Sequence, residues 1–184
     1  MNIVNIIMAT YNGEKYIKDQ IESILHNSYK DWILWIFDDG SKDETLNIIE
    51  GFVKQYPDKM KFYKNHGNKG VTRNFLEGVK YAMEKNYQET DERKHKHYYM
   101  FCDQDDVWMS EKISKTLNLM RKVEKKYSNQ EPVAVFTDAI IVDENLKIQQ
   151  SSFYRTSNLN TSRKDLAHML MENKLIGCTV MFNE

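Results

Sequence analysis

Short apolar runs alternate with amphipathic stretches along the whole chain, and that alternation leaves few folds open. A strand buried on both faces is a continuous apolar run, whereas a helix covering a sheet carries an apolar stripe with a period of about 3.6 residues. Residues 3–8 form the first run, and Ile17, Ile21, Ile24 and Leu25 then recur at helical spacing. Residues 32–37 form a second run, followed by a stripe through Leu46, Ile49, Val53 and Tyr56 that Pro57 stops. Ser41 and Glu44 have the spacing of a capping box for that helix. The cycle repeats with an edge strand at 60–64 and a helix through Phe75, Leu76, Val79 and Met83, then with a strand at 98–102 and a helix capped by Ser110 that buries Ile113, Leu117, Met120 and Val123. Strand, helix, strand in this order predicts an α/β fold with a mostly parallel central sheet.

The later part is less regular. Residues 133–136 form a fifth strand, Ile140 and Ile141 precede a turn at 142–145, and residues 146–150 return as a hairpin partner. The polar stretch 151–164 is expected to be a mobile loop, 165–173 a helix and 175–182 a last strand. Between residues 84 and 97 both charge signs mix with few apolar residues, which predicts a helix end and a solvated loop with solvated histidines. At 184 residues the chain suits one domain, and its ending directly after the last strand predicts a unit, residues 1–184, truncated at its C-terminus.

Composition removes several function classes. A formal net charge of −1 provides no field to draw in nucleic acid or an anionic membrane surface. Cys102 and Cys178 are far apart and lack metal-ligand spacing, so neither a disulfide framework nor a zinc site is indicated, and the default setting is reducing and cytoplasmic. No stretch approaches the roughly 20 apolar residues of a membrane-spanning helix, which leaves peripheral membrane association.

Ligands of open α/β sheets bind at the carboxyl ends of the strands. The residues there are Thr10, Tyr11 and Asn12 after the first run, Asp38 and Asp39 after the second, Asp103-Gln104-Asp105-Asp106 after the fourth and Asp138 after the fifth. On parallel strands these carboxylates converge on one rim and repel one another unless a cation is present. Hard oxygen donors without a His or Cys partner favour Mg²⁺ or Mn²⁺. A calcium loop of the EF-hand kind is unsuited, because Val107 and Trp108 stand where a ligand and glycine are needed. An apolar strand followed by Asp-x-Asp-x-Val also fits a haloacid-dehalogenase-like phosphatase, with Asp103 as nucleophile and Asp105 as acid/base, although that motif normally opens its domain. A sugar-nucleotide pyrophosphorylase requires a glycine-rich first loop that residues 9–12 do not offer, and a nucleotide-binding module without turnover stays open.

Ala9-Thr10-Tyr11-Asn12-Gly13, Asp38-Asp39-Gly40-Ser41-Lys42-Asp43, Asn68-Lys69-Gly70 with Arg73-Asn74, and Cys102-Asp103-Gln104-Asp105-Asp106-Val107-Trp108 occur in the order seen in family 2 glycosyltransferases. The chain resembles that family over nearly its whole length, and Asp-Gln-Asp-Asp followed by Val-Trp is similar to its bacterial rhamnosyltransferase-like branch. The resemblance implies a three-layer GT-A fold and an inverting, metal-dependent transfer from a UDP- or dTDP-sugar to a glycan or lipid-linked acceptor in cell-surface polysaccharide synthesis. It implies that Thr10 and Tyr11 lie along the base, that Asp39, or else Asp38, accepts the base N–H, and that Arg73 lies near the base or diphosphate. It further implies that Asp103 reaches the ribose or a metal-bound water and Asp105 coordinates the metal, while Asp106 and Trp108 shape the donor-sugar side or the following helix. The family's general base follows a segment similar to Gly177-Cys178-Thr179 and Phe182-Asn183, so it is expected beyond Glu184, with Asp138 a weaker positional candidate.

Overall fold

The computed structural model describes residues 1–89, 95–127, 131–162 and 175–184. Its elements are β1 (Asn2–Thr10), α1 (Ile17–Leu25), β2 (Trp32–Asp38), α2 (Thr45–Gln55), β3 (Met60–Lys64), α3 (Val71–Glu89), β4 (Lys96–Cys102), α4 (Lys112–Tyr127), β5 (Ala134–Phe136), β6 (Ile141–Val142), β7 (Ile148–Gln150), α5 (Phe153–Thr156), a 3-10 turn at Gly177–Thr179 and β8 (Val180–Asn183). The expected helix at 165–173 lies outside the described residues.

Six strands form one sheet in the order β3-β2-β1-β4-β8-β5. Strands β1 to β4 pair in parallel, whereas β8 runs antiparallel to both neighbours. From β1 the chain moves outward through β2 to β3 and then crosses to β4 on the other side of β1, so a topological switch point lies between β1 and β4. Crevices open at such points because successive crossovers leave in opposite directions. Register brings the strand ends level, with Thr10 beside Asp38 and Met8 beside Cys102.

Alternation along the strands divides the core into two layers. Ile6, Met8, Leu34, Ile36 and Met100 face α1, α2 and α4, whose stripes contribute Ile17, Ile21, Ile49, Ile113 and Leu117. Ile7, Trp35, Phe37 and Tyr99 face the opposite way, under Val79 and Ala82 of α3. Each fully buried Ile or Leu contributes roughly 1.5–3 kcal/mol of transfer free energy, so the helices need no strong intrinsic propensity to hold their places. Helices on both faces of the sheet make three layers.

Several local expectations change. Strand β8 is antiparallel, which puts its beginning rather than its end on the rim where β4 finishes. Strand β4 starts at Lys96, so His97 is buried in the sheet instead of solvated. Leu76 faces outward on α3, and the buried polar Asn74 and Asn86 share the inner face with Val79. Ser41 does not cap α2: its hydroxyl donates to Asp38, while Asp43 accepts from the Thr45 N–H. The part of the 151–164 stretch that is described contains a short helix, α5, capped by Ser152, among turns.

Candidate functional site

A cleft of about 300 Å³ opens at the switch point, between the loop after β1 and the loop after β4. Thr10, Tyr11, Asp39, Asn74, Asp103 and Asp105 are among its lining residues.

The loop after β1 is anchored to the loop after β2. Asn12 takes a left-handed conformation with φ 47°, which Asn tolerates better than most residues. Its N–H donates to Ser41 Oγ at 2.8 Å, its Oδ1 accepts from the Lys42 N–H at 2.9 Å, and the Gly13 N–H donates to Thr45 Oγ1 at 2.7 Å. With the backbone tied down, the Tyr11 side chain remains 44% exposed beside the cleft.

Asp38 and Asp39 part company. Asp38 is fully buried and accepts from the Gly40 and Ser41 N–H groups and from the Thr10 and Ser41 hydroxyls. About four lone-pair sites are available on a carboxylate, so Asp38 is saturated as the anchor of its turn and does not line the cleft. Asp39 does line it, and its oxygens accept from the Lys69 and Gly70 N–H groups at 2.8 Å and from Asn65 Nδ2 at 3.1 Å. Gly70 has φ 81°, a conformation that suits glycine and aims its N–H at the carboxylate. Asn74, buried behind Asp39, donates to the Phe37 carbonyl and accepts from Asn65. Arg73 points to solvent, 2.6 Å from Glu77 in an i,i+4 pair, and is not among the lining residues.

The acidic cluster also divides. Asp103 and Asp105 face the cleft, whereas Asp106 turns toward Cys178, and one ligand atom each of Asp103, Asp106 and Cys178 lie within 4.8 Å of one another. Burial, then the neighbouring Asp106 and Asp105 carboxylates, raise the Asp103 carboxyl above its ordinary range. Asp106 Oδ2 is buried without a hydrogen-bond partner among the described residues. Crowded carboxylates suit a hard divalent cation: Asp103 and Asp105 are the cleft-facing pair that would hold one, while the orphaned Asp106 oxygen lies on the side of Cys178. A fixed cation is already close. Lys112 Nζ donates to the Cys178 carbonyl at 2.8 Å and lies 4.5 Å from the centre of the Trp108 ring. Burial lowers the Lys112 pKa, opposed by Cys178, Cys102, Asp106 and Asp103. Trp108 itself is a core residue whose backbone N–H donates to Ser23 Oγ, so it anchors the start of α4.

Asp138 follows β5 but is not a lining residue. It accepts from Ser152 Oγ at 2.5 Å, the Ala139 N–H at 2.8 Å and the Tyr154 N–H at 3.2 Å, which makes it the anchor of α5. Partial burial acts to raise its pKa, but these donors outweigh it and hold the carboxyl below its ordinary value. Gln104, Asn74 and Cys178 stand inside the quoted motifs without a role that the sequence assigns them, and Lys112 lies outside those motifs; the positive φ of Gly70 has its sequence correlate in the Asn-Lys-Gly turn.

The family model for glycosyl transferase family 2 matches residues 5–182. The dTDP-rhamnosyl transferase RfbG of Shigella flexneri is 36% identical over 115 residues, covering 61% of this chain and 36% of that protein. A glycosyltransferase of Rickettsia prowazekii is 28% identical over 184 residues, covering 97% of this chain and 49% of its own length. This chain therefore spans about half or less of these curated relatives. Among solved structures, TarS 1-349 of S. aureus in complex with UDP matches with a TM-score of 0.51 and 22% identity, over 65% of this chain and 32% of that one.

Proposed function

Because the chain belongs to glycosyl transferase family 2 and has the GT-A fold, we propose that its cleft binds a nucleoside-diphosphate sugar, with UDP or dTDP as carrier. The whole protein would transfer that sugar, with inversion, to a glycan or lipid-linked acceptor in bacterial cell-surface polysaccharide synthesis. The observation that carries the reading is the meeting of Tyr11, Asp39, Asp103 and Asp105 in one switch-point cleft. The phosphatase alternative loses its ground, since the same Asp-x-Asp lies inside a match to a transferase family that spans nearly the whole chain.

On this reading Tyr11 offers its ring to the base. Asp39 accepts the base N–H of a pyrimidine: the Lys69 N–H, shared between its two oxygens, the Gly70 N–H and Asn65 Nδ2 fix the carboxylate at the cleft and prevent it from turning away. Asp103 reaches the ribose, and Asp105 with Asp103 holds Mn²⁺ or Mg²⁺. A cation bound there would supply positive charge to balance that of a departing diphosphate. Arg73 joins the site only by leaving Glu77. The carrier assignment draws on the dTDP in the name of RfbG and the UDP held by TarS. The described cleft carboxylates are engaged in base and metal roles, and Asp138 is committed to α5, so the general base comes from outside this set. Among the described residues no helix is long and apolar enough to cross a membrane. The reading places the protein in the cytoplasm, meeting a lipid-linked acceptor at the membrane's inner face.

A thermal-shift panel of UDP, dTDP, GDP and CDP, each with and without Mn²⁺, tests the reading. A ligand at about 100 times its Kd stabilises the fold by about 2.7 kcal/mol. UDP or dTDP is expected to give the largest shift, dependent on Mn²⁺, and Asp105→Asn is expected to remove the metal-dependent part while leaving the unliganded melting temperature nearly unchanged. No Mn²⁺-dependent shift with any of the four would sink the donor-site reading.

A further inference from the structure

Gln104 stands between the two cleft-facing carboxylates, yet its amide is turned to the loop after β1. The Tyr11 N–H donates to Gln104 Oε1 at 2.9 Å, and Gln104 Nε2 donates to the Tyr11 carbonyl at 3.1 Å, across 93 residues of sequence. A donor and an acceptor offered together to one residue's backbone imitate a neighbouring strand. Backbone pairing of β1 with β4 reaches Met8 and Cys102, and the side chain of Gln104 continues the connection beyond it.

The surroundings leave the amide little room to be elsewhere. A Cβ at Gly13 would lie 2.4 Å from Gln104 Oε1, so the absence of a side chain at Gly13 is what admits the amide. The same loop is held from its far side by Ser41 and Thr45. The backbone that carries Tyr11 is thus clamped between the turn after β2 and one amide from the metal-binding segment.

We infer that Gln104 is a positioning residue that couples the two halves of the cleft, so that fixing residues 103–105 on a cation also fixes Tyr11 for the base. The inference rests on the donor-site reading above. Two ligands that each order a shared segment favour one another without touching, and the coupling is reciprocal. Breaking the clamp should therefore leave two sites that bind independently.

Uridine is a suitable probe because it carries a base and ribose but no phosphate to reach a metal. Its affinity for the wild-type chain, measured by equilibrium dialysis, is expected to rise about fivefold with saturating Mn²⁺. In Gln104→Met, which keeps the length and removes both hydrogen bonds, that ratio is expected to fall to near one. Amide hydrogen exchange gives a second readout. The Tyr11 amide is expected to exchange roughly tenfold faster in Gln104→Met, while the Gly13 amide, held by Thr45, keeps its protection and reports an intact fold. Gln104→Glu, which keeps the acceptor for the Tyr11 N–H but loses the donor, is expected to retain most of the Tyr11 protection. A wild-type chain that binds UDP with Mn²⁺ but shows no uridine–Mn²⁺ coupling overturns the inference and leaves the donor-site reading standing. So does a Gln104→Met variant that keeps the coupling or the Tyr11 protection. A wild-type chain that binds neither UDP nor Mn²⁺ overturns both.

Discussion

Asp38 and Asp39 have the same side chain and adjacent positions, but consecutive residues at a strand end point in opposite directions. Asp38 goes into the turn that Thr10, Gly40 and Ser41 complete, whereas Asp39 goes to the cleft, where backbone N–H groups of the 69–70 turn hold it. Replacing Asp39 by Asn keeps size and shape but substitutes an NH₂ group for one of the oxygens that these N–H groups face. Leaving a buried donor unsatisfied costs about 1–3 kcal/mol. Asp39→Asn is therefore expected to lower the melting temperature and to weaken UDP binding at least about tenfold, a loss readable by calorimetric titration. Unchanged affinity would show that the base is held elsewhere. The pair Asp38 and Asp39 was legible as a strand-end signal, but which carboxylate reaches the cleft depends on partners about 30 residues away.

Helix α3 is positioned by its closest approach to the sheet. At Gly78 a Cβ would lie 2.8 Å from the Phe37 ring and 3.1 Å from an Ile7 methyl carbon, both on the strands that carry the cleft. The Phe37 ring is stacked on Tyr63 at 5.3 Å and meets Tyr81 edge-on at 6.1 Å, so it has little freedom to yield. Overpacking of this kind costs typically about 1–3 kcal/mol, more than the helix propensity gained on replacing Gly by Ala. Gly78→Ala is expected to lower stability to chemical denaturation by about that amount, and a neutral or stabilising result would show that α3 can shift outward. The apolar period made the helix legible without distinguishing Gly78 from a surface glycine or revealing that Leu76 faces solvent. Rotation of a helix about its axis is decided by the surface it packs on.

For the whole molecule, one buried polar network gives stability a pH dependence. The Trp35 indole N–H donates to Asn5 Oδ1, so Asn5 Nδ2 faces His97 Nδ1 as a donor, 3.2 Å away. Nδ1 must then accept, which puts the imidazole proton on Nε2, an atom without a partner among the described residues. Burial, and secondarily His95, lower the His97 pKa from its ordinary 6.5. Because the folded protein resists protonation there, the unfolded chain binds the proton first as pH falls. The contribution of His97 is full above about pH 6.5 and is lost as pH drops through the folded pKa. Melting temperature is accordingly expected to decline between pH 7 and pH 5 more steeply in the wild type than in His97→Gln, which has no ring to protonate; equal slopes would assign the decline to other groups. His97 lies in a charged, histidine-rich stretch whose composition suggests solvent, and only its place in β4 beneath α3 makes it buried. By itself the sequence determined the α/β class, the parallel strand-and-helix order and the polar clusters at the strand ends, because apolar period and strand termination are local properties of a chain. Tertiary structure alone decided that β8 runs backwards, so that the turn before it brings Cys178 to the acidic cluster and to Lys112 of α4, that Asp138 and Arg73 point away from the cleft, and that Gln104 clamps Tyr11. Strand direction depends on the path of the connections and a side chain's partner on residues tens of positions away, and neither leaves a period in the sequence.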